Sequence, residues 1–262
     1  MQSYSCIVVE KRGGVLVITL NRPEIGNAFN NELIKELTEA FVSVEGEVRA
    51  IVLTGAGKVF CAGADLNWMR RMAEFTEEEN YADARAMDQM FYTIDVCPKP
   101  VVAMVNGATI AGGIGFLAVS DVVIASRAAV FGFTEVNLGI IPAVVSPYVM
   151  SKIGYTQTRA LFLSAELFSA EKAKEIGLVH EIVEPELLDA RVEERLKGLR
   201  KGGSSAQAIC KEWLRKLMRM DIETAREESA RMIARLRVSP EGQEGMRAFL
   251  EKRKPAWIEG DR

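Results

Sequence analysis

Short β-rich runs, separated by helix-patterned or glycine-bearing stretches, recur along the first half of this 262-residue chain and leave few folds open. Ser5–Val9 and Val15–Leu20 are rich in strand-forming residues, and Arg12-Gly13-Gly14 between them supplies a hairpin turn. From Asn31 onward, Leu33, Ile34, Leu37, Phe41 and Val44 recur at helical spacing, which predicts a helix of about four turns. Ala50–Leu53 then reads as a short buried strand ended by Thr54-Gly55-Ala56-Gly57. A second helix over Glu77–Val96 carries Tyr81, Ala84, Met87, Phe91 and Ile94 on one face. Pro98 and Pro100 stop it before another buried strand, Val101–Val105. Asp121–Ala125 and Val130–Phe133 read as strands too. Strand and helix in alternation predict an α/β fold with mostly parallel crossovers.

The character changes after about Gly177, and from Pro185 the chain is charged and helical, with helices predicted over 187–199, 206–218, 222–236 and 241–252. This divides the chain into a core over 1–190 and a helical region over 191–262, which packs on that core or on a neighbouring subunit. About 70–75% of the unfolded surface can be buried at this length. A composition of 48% hydrophobic and 26% charged residues suits that outcome.

Several chemistries are excluded at once. Lys and Arg number 33 against 36 Asp and Glu, so no basic excess is present to neutralise a phosphate backbone, and nucleic acid is not an expected partner. Cys6, Cys61, Cys97 and Cys210 are scattered and His180 is the single histidine, which predicts free thiols in a reducing compartment and no ordinary zinc site. The first residues lack a signal-peptide pattern. The apolar stretch Val101–Ile114 is interrupted by Asn106, Thr109 and glycines and is too short for a membrane span, so the expectation is a soluble, cytoplasmic protein. His180 lies in a strand or loop edge and no Gly-x-Ser-x-Gly elbow exists, which disfavours a serine triad. Gly55-Ala56-Gly57-Lys58 has the wrong spacing for a Walker loop, and no GxGxxG follows the first strand.

Three features remain. Phe60-Cys61-Ala62-Gly63-Ala64-Asp65 follows one strand, and Asn106–Gly115 follows another. Small residues there either permit tight turns and close packing or let two backbone N–H groups converge as an oxyanion hole. Asp65 is placed to cap a helix starting near Leu66. The third feature is Glu135, in the apolar run Val130–Ile141. Its carboxylate is either turned outward or held in a partly dry pocket, where a raised pKa would suit it to move protons.

Together with Arg22-Pro23 and Asn27-Ala28, Val105-Asn106-Gly107 with Gly112-Gly113 and Asp121, Glu135–Gly139 with Ile141-Pro142, Ala173–Val179 and Lys254–Trp257, these segments resemble the crotonase family of enoyl-CoA hydratases and isomerases over nearly the whole chain. The resemblance implies a crotonase-like spiral of ββα units with a C-terminal helical region, assembled as a homotrimer or a dimer of trimers. It also implies an acyl-CoA thioester substrate, no metal or other cofactor, and a place in fatty-acid metabolism. The backbone N–H groups of Ala64 and Gly112 would grip the thioester oxygen, with Glu135 as acid/base. Ala62, Asp65, Leu66, Asn67, Gly113 and Gly115 would line the substrate site.

One departure stands out. Hydratases of the family commonly carry a first glutamate where this chain has Gly115, twenty positions before Glu135, and Ala111 replaces the first of three usual glycines. Glu171 and Glu175, on a later helix, are the candidates for a second carboxylate. Residues 131–148, with Thr134 where many hydratases have proline, resemble the methylglutaconyl-CoA hydratase branch. The expected activity is hydration of a 2-enoyl-CoA to the 3-hydroxyacyl-CoA. Isomerisation of a 3-enoyl-CoA to the 2-enoyl isomer is the alternative, and acyl-CoA binding without catalysis is a third reading.

Overall fold

The computed structural model describes residues 4–259. It opens with the hairpin β1 (Ile7–Arg12) and β2 (Val15–Leu20), followed by α1 (Asn31–Val42), β3 (Ala50–Gly55), β4 (Val59–Cys61), α2 (Leu66–Met72) and α3 (Glu77–Asp95). Next come β5 (Val101–Val105), β6 (Ala108–Ile110), α4 (Ile114–Ala118), β7 (Val122–Ser126) and β8 (Val130–Gly132). After these are α5 (Ser146–Ser164), β9 (Phe168–Ser169), α6 (Ala170–Glu175) and β10 (Glu181–Val183). The C-terminal region holds α7 (Leu188–Leu199), α8 (Ser204–Leu217), α9 (Ile222–Arg237), α10 (Pro240–Leu250) and α11 (Ala256–Glu259).

The strands sort into two sheets. One has the order β1-β2-β3-β5-β7-β10, the other β4-β6-β8-β9. Apart from the β1–β2 hairpin, every pairing in the larger sheet is parallel, as are β4–β6 and β6–β8 in the smaller one. Each turn of the chain therefore lays one strand in the large sheet, the next in the small sheet, then crosses back through a helix. This is the ββα spiral that the resemblance implied.

Parallel strands covered on both faces read as continuous apolar runs, and β3 is buried along its whole length. Because side chains alternate, Ile51 and Leu53 face the main core with Phe60 and Phe131 of the small sheet, while Ala50 and Val52 face the other way. On that second face they meet Leu188, Val192 and Leu196 of α7, a helix that straddles position 190. Capping sets the helix starts: Asn30 accepts from the Leu33 N–H at α1, and Thr76 with Glu79 forms a capping box at α3. Of the remaining C-terminal helices, α8 and α11 are tied to the core by polar contacts. Arg49 donates to the carbonyls of Gly202 (2.7 Å) and Trp257 (3.2 Å), and Lys211 pairs with Asp121 at 2.6 Å.

One buried side chain holds the loop beneath the site. Asn27 is fully buried with φ +56°, a backbone region that asparagine tolerates better than alanine. Its amide donates to the carbonyls of Ala56 (2.8 Å) and Val59 (2.7 Å) and its oxygen accepts from the Arg22 N–H (2.9 Å). Asn27→Ala strands these buried partners and strains the turn, so it should lower unfolding stability by on the order of 3 kcal/mol in urea titration; a loss below about 1 kcal/mol would contradict this role.

Candidate active site

The three features singled out in the sequence leave three neighbouring strands at the same edge. Ala64 follows β4, Gly112 follows β6 and Glu135 follows β8. The register pairs Cys61 with Thr109, Thr109 with Phe131 and Ile110 with Gly132, so all three segments exit at the carboxyl ends of adjacent parallel strands. Strands lie ~4.8 Å apart, which spreads the three exits over roughly 10 Å. The carboxyl edge of parallel strands is where open α/β sheets bind ligands.

Phe29 orients the first amide. Its main chain forms a parallel bridge to Ala64, its N–H donating to Gly63 O (2.8 Å) and its carbonyl accepting from Asp65 N–H (3.0 Å). Alternate amides of an extended segment point to opposite sides, so the Ala64 N–H faces away from Phe29 and has no acceptor among the described residues. The second amide opens the helical run 111–118. Ile110 is extended and Ala111 left-handed at φ +51°, so the Gly112 N–H sits in a first turn with no carbonyl behind it. Only glycine fits there: a Cβ on residue 112 would come within 2.7 Å of the Phe29 ring. Phe29 thus touches both glycine-bearing segments, one through its backbone and one through its ring.

Asp65 caps α2, accepting from the N–H groups of Asn67 (2.7 Å) and Trp68 (3.4 Å), and it pairs with Arg22 at 2.7 Å. Burial pushes its pKa up, but the Arg22 hydrogen bond and the two N–H donors outweigh that and hold it below the ordinary carboxylate value. Arg22 also donates to Ala28 O (2.6 Å), so the pair clamps residues 22–29 onto the loop after β4. Among the other expected lining residues, Gly113 is buried against Cys61, whereas Ala62, Leu66 and Asn67 are exposed, with Asn67 accepting from Arg70.

Of the two readings left open for Glu135, the structure supports the buried one. Glu135 is only 9% exposed, starts a 3-10 turn over Glu135–Leu138, and its Oε2 is buried without a hydrogen-bond partner. Burial raises its pKa; a bond from its own N–H offsets this in part. Glu171 and Glu175 supply no second carboxylate: they are more than half exposed and pair with Arg127 and Lys172. Gly115 is buried, and the space a side chain there would need is occupied, since its Cβ would come within 2.6 Å of both Phe91 and Val145. The sequence carries no sign of that contact, because the three residues belong to different elements. A separate cleft of about 750 Å³ between α3, α5 and α8, lined by residues such as Tyr148, Lys152 and Arg215, includes neither Glu135 nor the two amides. Among the described residues, no three His, Cys, Asp or Glu side chains cluster to hold a metal ion, and no helix is long and apolar enough to cross a membrane.

The match to known proteins agrees with this fold. The chain belongs to the enoyl-CoA hydratase/isomerase family, whose model matches residues 10–260. It is 34% identical to the short-chain-enoyl-CoA hydratase of Clostridium acetobutylicum, over 97% of each chain. Its fold is similar to that of an enoyl-CoA hydratase from Shewanella pealeana (TM-score 0.92, 37% identity, 97% of this chain and 96% of that one). It is equally similar to Pseudomonas aeruginosa AtuE (TM-score 0.93, 38% identity, 97% and 99% covered).

The buried carboxylate should show in the pH dependence of stability. Above its raised folded-state pKa, Glu135 is ionised in both the folded and unfolded states and the fold bears the full cost of burying the charge. Below the ordinary glutamate value it is protonated in both, and the cost vanishes. Glu135→Gln should therefore raise the Tm at pH 8 and leave it unchanged near pH 4. A variant destabilised at pH 8 would contradict the assigned burial.

Proposed function

We propose that this chain adds water across the double bond of a 2-enoyl-CoA to give the 3-hydroxyacyl-CoA. The observation that supports it best is the buried Glu135 with an unpaired carboxylate oxygen, following the third of three adjacent strands whose other two lead to unpaired amides. Glu135 takes a proton from water as the oxygen bonds to Cβ. The π electrons move toward Cα and the thioester oxygen, giving an enolate held by the Ala64 and Gly112 N–H groups. Collapse of the enolate takes the proton back from Glu135 onto Cα. Fixed dipoles aimed at the oxygen on which charge develops are worth about 3 kcal/mol of barrier. The likeness of residues 131–148 to the methylglutaconyl-CoA branch supports a branched acyl group of that kind. We infer a homotrimer or dimer of trimers, consistent with exposed Leu138, Ile140 and Ile141 beside the site.

A second reading, isomerisation of 3-enoyl-CoA to 2-enoyl-CoA, is favoured by the filled space at Gly115. One carboxylate suffices to carry a proton from Cγ to Cα. Both readings are tested with a panel of 2-enoyl- and 3-enoyl-CoA thioesters, followed by absorbance and product mass. Hydration predicts loss of the conjugated thioester band with gain of one water. Glu135→Gln should lower kcat by about 10²–10⁴-fold with KM little changed. Full activity in that variant would remove the assigned base. Formation of 2-enoyl product without added water would select isomerisation, and tight binding without turnover would overturn both.

A further inference from the structure

Resting on the reading above, we propose that Phe91 and Val145 are the specificity-determining pair of this site. By filling the space beside Gly115 they exclude a second acid/base side chain and the water it would hold, so proton transfer passes through Glu135 alone. Phe91 and Val145 are positioning residues here.

Gly112 and Gly115 are three residues apart in the helical run 111–118, so they share a face, with Gly115 one turn behind the oxyanion amide. On the proposed reading, position 115 lies one helical turn from the amide that holds the thioester. A Cβ there would meet Phe91 Cζ and Val145 Cγ1 at 2.6 Å each, and Phe91 Cε1 at 2.7 Å, distances that real contacts do not show. Neither neighbour yields cheaply. Phe91 is 0% exposed, with its ring against Phe116 (centroids 5.2 Å apart) and Tyr148 (6.2 Å). Val145 is 2% exposed in the turn preceding α5, on the same connection that begins with Glu135. The wall is built from α3, α4 and the turn before α5, and the side chains that meet position 115 are apolar. Water delivered to Cβ therefore has one anchoring carboxylate.

A double-substitution cycle reads this directly. The ratio of hydration to double-bond migration is measured from a single enoyl-CoA within each variant, because that ratio does not depend on how much protein is folded. Gly115→Glu alone should lose at least ~10-fold in hydration, since the side chain must displace Phe91. In the Phe91→Ala background the same Gly115→Glu change should regain at least ~10-fold and raise the hydration ratio above that of the native chain. Where Phe91→Ala does not fold, Phe91→Leu and Val145→Ala take its place and should shift the ratio in the same direction by a smaller factor. The proposal is overturned if Gly115→Glu hydrates as fast as the native chain with Phe91 intact. It is equally overturned if the background substitutions restore the Tm of Gly115→Glu but leave the ratio unmoved. Absence of any turnover in the native chain would instead count against the functional reading itself.

Discussion

The main-chain pairing of Phe29 with the segment Gly63–Asp65 is the interaction on which the site depends. Two hydrogen bonds use the outward groups of residues 63 and 65, and the geometry of an extended chain then forces the amide of residue 64 to the opposite side. The Phe29 ring simultaneously limits residue 112 to glycine, bringing the second amide close to the first loop. Everything that steadies Phe29 serves the same end: the Arg22–Asp65 pair closes the loop from one side and buried Asn27 from the other. On the proposed reading, amides pre-set in this way cost no reorganisation when charge develops on a ligand.

The spiral supplies the rest. Laying one strand of each turn in the small sheet brings segments 64, 112 and 135, far apart in the chain, to successive positions on one edge. The fold bears costs there that packing elsewhere offsets. Ala111 is held in the left-handed region at about 1 kcal/mol, and Glu135 is buried with one oxygen unpaired. Strain and an unsatisfied carboxylate at the same edge fit the proposed reactive site.

Much of the large sheet was legible from periodicity alone. Val101–Val105 is β5 with the same bounds, and β7 and the helices α7 to α10 lie within a few residues of where the pattern placed them. The first strand is displaced, running Ile7–Arg12, because its apolar half continues into charged residues that pair with β2 at an edge. The small sheet was only partly visible. β4 and β6 are three residues each, too short for alternation to register, and β9 has two. α5 is not legible in the sequence because Pro147 and Gly154, at φ +75°, interrupt its pattern. Of the site, the glycine-bearing turns and Glu135 could be read as chemistry-bearing, and Asp65 as a cap. The plug of Phe91 and Val145 could not, since an apolar residue on a helix face looks the same whether it packs an ordinary core or fills the place of a missing side chain.

The proposed chemistry rests on the polarisation of one carbonyl by two amides from separate loops. It is tested most directly by difference infrared spectroscopy of an isotope-labelled thioester carbonyl in a 2-enoyl-CoA bound to the Glu135→Gln protein, which holds the ligand unreacted. Two N–H donors aimed at the oxygen predict a carbonyl stretch at clearly lower frequency than for the same thioester in water. A bound thioester whose stretch matches or exceeds the aqueous frequency would contradict the account.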